Sequence, residues 1–450
     1  MGVRHAAAPL RPVAALALGA LLWLLWTGAA AAQRMGYAPE EFAARRQRLA
    51  QVLQQGTLVI FGATTPAPGQ RFRQDNDFFY LTGSESLNAV LVMDAQGGSA
   101  HLFMPKLSAA EIRYEGPNWL EDPDGAGTRG FASIQALDRL PEFLARRRDT
   151  AGDTLWMRLV ERDTVNHARN EVALQIARRL RNPFAQHPTE DAYRVSAFKE
   201  QFPSYSVRDV TPHLDRLRLI KTPREIEILR HNGRISAEAI RRAIAATAPG
   251  RFEYELEAEA THWLLKHGMQ GAAYPAIVGS GPMGNQWHYE DNGRRMNAGE
   301  LVVMDYAGSL DYLTVDITRT WPVSGRFTEA QLKAYATVLE AQKALLAAIR
   351  PGVTRDAVRA VAEDVFRRGG FDPRYAYVGH YVGLSVHDVG DWSLPFEAGM
   401  TMAIEPILDM PEQQLHIRIE DTILVTPTGA EVLSVGLPKE VDELLALLKR

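Results

Sequence analysis

The amino-acid order predicts an α+β protein: helices packed on one curved antiparallel sheet, preceded by a separate α/β N-terminal domain. Three observations carry that expectation. Between about 222 and 425 the pattern runs two helices, a β-hairpin, two more helices and then further strands. From Tyr37 to His213 strands and helices alternate instead, the texture of an α/β lobe. Between the two, Thr222-Pro223-Arg224-Glu225 reads as an N-cap, a proline at the first helical position and a capping-box glutamate. The junction of the lobes therefore falls near residues 210–220.

The N-terminal lobe opens with a polar helix, Pro39 to Gln55, then an apolar strand, Thr57 to Gly62, and a Pro/Gly loop through Gly69. Asp77 to Thr82, Ala89 to Met93 and Ala100 to Met104 read as strands. Pro117 to Gly130 reads as a loop, and helical periodicity returns at Ala136 to Arg148 and Asn170 to Arg181. In the second half, one helix runs from Thr222 to Thr247 and stops at Pro249-Gly250; another covers Glu253 to Lys266. Thr328 to Arg350 and Thr354 to Arg368 form the later pair, ended by Pro351-Gly352 and Gly369-Gly370. The β segments are Leu301 to Ala307, Tyr312 to Trp321, Met400 to Leu408 and Leu415 to Val425.

Composition narrows the chemistry. With 450 residues, 46% hydrophobic and 23% charged, the chain is long enough for two or three cored domains and is neither disordered nor fibrous. A net charge of −4 gives no electrostatic reason to expect nucleic acid. The absence of cysteine excludes disulfides, thiolate metal sites and a cysteine nucleophile, so any metal must be held by oxygen and imidazole.

The first 32 residues read as an address. Arg4 and Arg11 precede the uncharged stretch Val13 to Trp26, which leads into Thr27-Gly28-Ala29-Ala30-Ala31-Ala32. That order describes a signal peptide over residues 1–32, cleaved after Ala32, and hence a secreted or periplasmic protein with no membrane segment once mature. The uncharged run from Pro12 to Ala32 could also span a bilayer uncleaved, although its small-residue end favours cleavage.

Carboxylates in apolar surroundings mark the candidate site. A hairpin loop at Gly308-Ser309-Leu310-Asp311, centred between 310 and 311, would set Asp305 opposite Asp316 with Cβ atoms about 4.5–5.5 Å apart. Such a pair loses hydration and repels, so either one carboxyl protonates or a cation bridges them; alternatively one aspartate simply faces solvent at a strand edge. Glu405 lies in the otherwise apolar Thr401 to Leu408. Arg418 and Glu420 alternate onto one face of a strand. His380 and His387 are seven residues apart, too far for an i, i+4 metal pair, and a single histidine in such a setting is more often a hydrogen-bonded core residue. Taken together, two Asp, two Glu and one His between 305 and 420 form an oxygen-rich set suited to hard or borderline divalent ions, shared between two metals.

In that order (Asp305, Asp316, His380, Glu405, Glu420) the residues resemble the dinuclear metal signature of the aminopeptidase P/prolidase family of pita-bread metallopeptidases. Ile277-Val278-Gly279-Ser280-Gly281 followed by His288-Tyr289 resembles that family's active-site histidine segment, and Arg73 to Gly83 resembles the aminopeptidase P N-terminal domain. The resemblance spans the chain beyond the leader and implies an N-terminal domain over 36–215 and a pita-bread catalytic domain over 216–450. It implies two divalent ions, Mn²⁺ first and Co²⁺ or Zn²⁺ as substitutes, with Asp305 on one ion, Asp316 and Glu420 bridging, and His380 and Glu405 completing the second. It further implies attack by a metal-bridging hydroxide on the bond before proline at position two of a peptide, and a homo-oligomer, dimer or tetramer. Glu405 would carry the proton, His288 and His387 would hold carbonyl oxygens, and Arg418 would orient a carboxylate.

Several positions depart from the family pattern. Asp305 is followed by Tyr306-Ala307 before Gly308 rather than by x-Gly, Glu405-Pro406 by Ile407 rather than Gly, and Ala376 stands where a histidine is common. His416 replaces a usual glycine, and alternation places it on the face of Arg418, where it could line the substrate pocket. Three alternatives stay open. A prolidase would cleave only Xaa-Pro dipeptides. Methionine aminopeptidase shares the metal signature but lacks a large N-terminal lobe. A non-catalytic relative using the fold for binding would typically lose metal ligands.

Overall fold

The structure, a computed structural model, describes residues 35–64, 71–122 and 124–448. The segment 1–32 that reads as a signal peptide and most of the Pro/Gly loop before residue 70 lie outside the described residues. Among the described residues no helix is long and apolar enough to cross a membrane.

The N-terminal lobe is a mixed sheet flanked by helices. Helix α1 (Pro39–Leu53) leads into β1 (Thr57–Phe61), α2 (Asn76–Thr82), β2 (Val90–Asp94), β3 (Ala100–Met104), α3 (Ala109–Glu115) and β4 (Ser133–Ala136). Then come α4 (Leu140–Ala151), β5 (Thr154–Met157), α5 (Arg169–Arg179), α6 (Glu190–Gln201) and β6 (Ser206–Asp209). The strand order is β4-β3-β2-β1-β5-β6, antiparallel from β1 through β3 and parallel at both flanks, where helical crossovers return the chain.

One element differs in kind from expectation. Residues 76–82 form a helix, not a strand. All seven are buried, so no polar face reveals a 3.6-residue period, and a short apolar run reads equally as a buried strand. Its ends decide the matter: the Asp75 carboxylate accepts from Phe78 N at 3.0 Å, and Gly83 closes the helix at φ 67°. A Cβ at Gly83 would lie 2.3 Å from the Phe42 ring.

Helix α7 (Thr211–Leu219) connects to the second half. There α8 (Pro223–Ala246) and α9 (Glu253–Lys266) form the first pair. The Thr222 capping box forms as the sequence predicts, with Glu225 N donating to Thr222 Oγ1 and Thr222 N donating to the Glu225 carboxylate. Strands follow: β7 (Gly271–Ala272), β8 (Ile277–Ser280), β9 (Leu301–Asp305), β10 (Gly308–Leu310), β11 (Leu313–Thr314) and β12 (Thr318–Pro322). After the second pair, α10 (Glu329–Ala348) and α11 (Arg355–Gly369), come β13 (Gly379–Tyr381), β14 (Thr401–Ile404), β15 (Ile407–Met410), β16 (Leu415–Arg418), β17 (Asp421–Thr426) and β18 (Gly429–Val432), then α12 (Val441–Leu448). Every pairing in this half is antiparallel, in the orders β11-β10-β7, β12-β9-β8, β13-β14-β17-β18 and β15-β16.

The hairpin turn lies one residue later than expected, which moves the pairing register by two. The turn is Asp311-Tyr312, both with positive φ (46° and 70°), so Asp305 pairs with Thr318 rather than with Asp316. A bulky residue rarely tolerates that backbone. Tyr312 is held there by its surroundings: its ring stacks on Phe79 at 3.5 Å between centroids, and its hydroxyl accepts from Gln74 N and donates to Glu85.

The lobes meet through buried charge. Arg218 donates to Asp77 at 2.8 Å, to Asp388 at 2.6 Å and to Asp163 at 2.5 Å, and Arg169 reaches Asp77 and Asp163 as well. Burial alone would raise the Asp77 carboxyl, but Arg169, Arg218 and Arg158 outweigh it and hold it well below the usual range. Removing one member leaves uncompensated buried charge, at a cost of about 3–5 kcal/mol. Arg218→Ala is accordingly expected to lower the unfolding free energy by roughly that amount in urea titration; an unchanged midpoint would contradict the network's role.

Candidate metal centre

The strands of the second half break where the carboxylates sit. β9 ends on Asp305; residues 315–317, 405–406 and 419–420 fall in gaps between β11 and β12, β14 and β15, and β16 and β17. Each gap has a local cause. Asp316 N donates to Thr422 Oγ1 at 2.7 Å, and that hydroxyl donates back to Asp316 O. Pro406 has no N–H to continue a ladder after Glu405, whose own N donates to Val378 O. Glu420 N donates to Thr318 O at 3.0 Å, and Thr318 Oγ1 donates to Glu420 Oε2 at 2.6 Å. The breaks let side chains from four chain segments turn into one space.

That space gathers all five expected ligands. Ligand atoms of Asp305, Asp316 and Glu420 lie within 4.8 Å of one another, as do those of His380, Glu405 and Glu420. Asp305 and Asp316 therefore meet, though across a strand break rather than as opposed residues. His380 Nε2 is 3.3 Å from Asp316 Oδ2, 3.4 Å from Glu405 Oε1 and 4.0 Å from Glu420 Oε1. Its Nδ1 faces the Tyr381 carbonyl at 3.1 Å, which keeps the proton there and leaves Nε2 for a metal. Arg418 Nη2 reaches Asp305 Oδ2 at 3.0 Å.

The donor set suits divalent cations. Asp316 Oδ1 and Glu420 Oε1 are buried with no hydrogen-bond partner, an arrangement a bound cation satisfies. Burial, then the charge on Asp316, lifts the Asp305 carboxyl well above its ordinary value; burial, then Asp316, Glu405 and Asp305, does the same to Glu420. Glu405 is raised, chiefly by burial. Asp316 runs the other way, to about 2, because the His380 hydrogen bond and charge outweigh its burial. His380 is correspondingly lifted to about 9 despite burial, by Asp316 and Glu405.

Beside this set lies a cleft of about 130 Å³ lined by Asp305, Asp316, Tyr274, His288, His387 and Glu171, among others. His288 stands exposed at its rim, its imidazole lowered by partial burial and by the nearby Arg418 and His387. The His387 ring lies 4.0 Å from that of His380. His416 does not line this cleft: it is buried behind β16, its Nδ1 2.9 Å from Asp409 Oδ1. Alternation put it on the face of Arg418, but Asp409 on the paired strand β15 holds it. Two lining residues escaped sequence reasoning. Tyr274 donates to Asp305 Oδ1 at 2.7 Å, and no local pattern announces it. Glu171 touches His387, yet in sequence it is only one acid within the helical stretch Asn170 to Arg181.

Paired helices over a broken antiparallel sheet, with a buried set of four carboxylates and an imidazole, define a metal-dependent hydrolase. Comparison with known proteins is more specific. The family model for metallopeptidase family M24 matches residues 227–427, and that for the aminopeptidase P N-terminal domain matches residues 42–156. The chain is 33% identical to the Xaa-Pro aminopeptidase of Escherichia coli strain K12, over 91% of this chain and 97% of that one. It is 30% identical to the Xaa-Pro aminopeptidase of Haemophilus influenzae, over 91% and 97%. The solved structure of aminopeptidase P from E. coli with the inhibitor Pro-Leu superposes with a TM-score of 0.76 at 30% identity, covering 92% of this chain and 98% of that one. The chain belongs to the aminopeptidase P family and is a metalloaminopeptidase with the pita-bread fold, acting on peptides.

Like charges buried together predict a trade-off. In protein stripped with a chelator, Glu420→Gln is expected to raise the melting temperature, with a gain of about 0.5–2 kcal/mol. The same substitution is expected to erase any stabilisation that an added divalent cation gives the unsubstituted protein. A lower melting temperature for the chelated variant would show that Glu420 is not held against repulsion.

Proposed function

We propose that this protein is an exported, manganese-dependent Xaa-Pro aminopeptidase that removes the N-terminal residue from peptides carrying proline at position two. The observation that carries the reading is the convergence of Asp305, Asp316, His380, Glu405 and Glu420 beside a cleft that also presents His288 and His387. Export rests on the leader pattern of residues 1–32.

In this reading Asp305, Asp316, His380, Glu405 and Glu420 would hold the two divalent ions, with Glu420 within reach of both groups of ligands. When bound, the ions supply Lewis acidity, polarising the scissile carbonyl and making an attacking water acidic near neutral pH. Glu405, its carboxyl raised by burial, accepts the water's proton and returns it to the departing proline nitrogen. His288 and His387 hold the carbonyl oxygens flanking the scissile bond, where negative charge develops. Arg418 fixes Asp305 through the 3.0 Å contact and so sets the direction of its free lone pairs. An X–Pro bond offers no N–H to recognise, so the ring itself must be accommodated.

The test offers the purified mature protein an Xaa-Pro-Yaa tripeptide and an Xaa-Pro dipeptide, each with Mn²⁺ and with chelator. Metal-dependent release of the first residue from the tripeptide is the expected result. Cleavage of the dipeptide alone would replace this reading by a prolidase, and no cleavage of either would leave a binding protein. Separately, Glu405→Gln should abolish turnover; activity above a few per cent would contradict its proton-carrying role.

A further inference from the structure

His387 is held by a side chain from the other lobe. Its Nδ1 lies 2.5 Å from Glu171 Oε1, across 216 residues of sequence. Glu171 occupies the first turn of α5, in the N-terminal lobe, and its second oxygen accepts from Ala168 N at 3.0 Å, capping the start of the helix. The carboxyl is held below its ordinary value: burial opposes ionisation, but the hydrogen bond and charge of His387 outweigh it. An ionised carboxylate only accepts, so the proton of this bond resides on Nδ1. Nε2 is then the ring nitrogen left for a substrate. A ring nitrogen of His387 also lies within 4.8 Å of ligand atoms of both Asp316 and His380.

The helix that carries Glu171 is itself immobilised. Arg169, two residues earlier, donates to Asp77 at 2.9 Å, to Asp163 at 3.2 Å and to Asp215 at 2.9 Å. On the opposite side of the contact, Asp388, the neighbour of His387, is clamped by Arg218 at 2.6 Å and Lys221 at 3.5 Å. Arg218 also binds Asp77 and Asp163, so one buried network fixes both partners of the Glu171–His387 pair.

We propose that Glu171 is a positioning residue contributed by the N-terminal lobe: its carboxylate holds the Nδ1–H of His387 and thereby presents Nε2 to the peptide carbonyl in the cleft. This rests on the role assigned to His387 above. It follows the arrangement in which a third group orients a catalytic imidazole, here supplied by a different lobe from the one that holds the metal ligands. Neither the metal signature nor the active-site histidine segment of the catalytic half contains it.

A double-mutant cycle tests the pair. The full mature chain, loaded with Mn²⁺, is prepared unsubstituted and as Glu171→Ala, His387→Ala and the double variant, and kcat and KM are measured on an Xaa-Pro-Yaa tripeptide. Glu171→Ala is expected to lower kcat by about 10- to 100-fold, the range found when the hydrogen-bond partner of an active-site imidazole is removed, with a smaller change in KM. In the His387→Ala background the same substitution should cost less than about twofold, because the group it positions is gone. Equal losses in both backgrounds would overturn the proposal, since the carboxylate would then act through its helix cap. A full-activity Glu171→Ala beside an impaired His387→Ala would overturn it too while leaving the reading of His387 intact. Full activity in His387→Ala would sink both.

Discussion

Everything in the catalytic half depends on holding four buried carboxylates of one sign within reach of one another. Asp305, Asp316, Glu405 and Glu420 are each at least nine-tenths buried, and their mutual repulsion opposes the fold that assembles them. The strand breaks at 315–317, 405–406 and 419–420 follow from that constraint, because a regular ladder would send alternate side chains to opposite faces. Threonine hydroxyls and one proline secure the breaks, leaving backbone polar groups paired while the side chains converge.

The same molecule handles buried acids in a second way at the lobe junction. There Asp77, Asp163 and Asp388 are neutralised by Arg169, Arg218 and Lys221, so their charge is fully paired within the protein. The contrast separates structural charge from chemical charge. Asp77 and Asp163 sit well below the usual carboxylate range, held there by their arginines, whereas Asp316 and Glu420 of the metal centre each keep one buried oxygen without a partner. Arg418 marks the border: it touches Asp305 but leaves Asp316 Oδ1 and Glu420 Oε1 without a partner.

Much of this was legible in the sequence because the strongest signals were local. Capping boxes and Gly or Pro stops located the paired helices, and an acid in an otherwise apolar segment pointed to Glu405 without any fold. The helix at 76–82 was missed because total burial erases periodicity, and only Asp75 and Gly83 carried the information. The register around Asp305 was misjudged by two residues because the turn sits one residue later, at Asp311-Tyr312, and places a tyrosine at positive φ, which no local preference favours. His416 was misplaced because alternation fixes a face but cannot say which neighbour occupies it. Tyr274 and Glu171 were invisible, since their partners lie 31 and 216 residues away and nothing local distinguishes them.

That improbable turn also bears on how the chain assembles. The Tyr312 ring is pressed between Phe79 and the Arg73 guanidinium, and Asp311 accepts from Gly36 N and from the Tyr37 hydroxyl, all groups of the N-terminal lobe. The hairpin that follows the Asp305 strand is thus shaped by residues made some 230 positions earlier on the ribosome. The early lobe serves as a mould for the finished fold: its contacts hold a register that the later segment would not choose by itself. Chain order becomes part of the catalytic design, with the half that binds no metal deciding how the other half's first ligand is set.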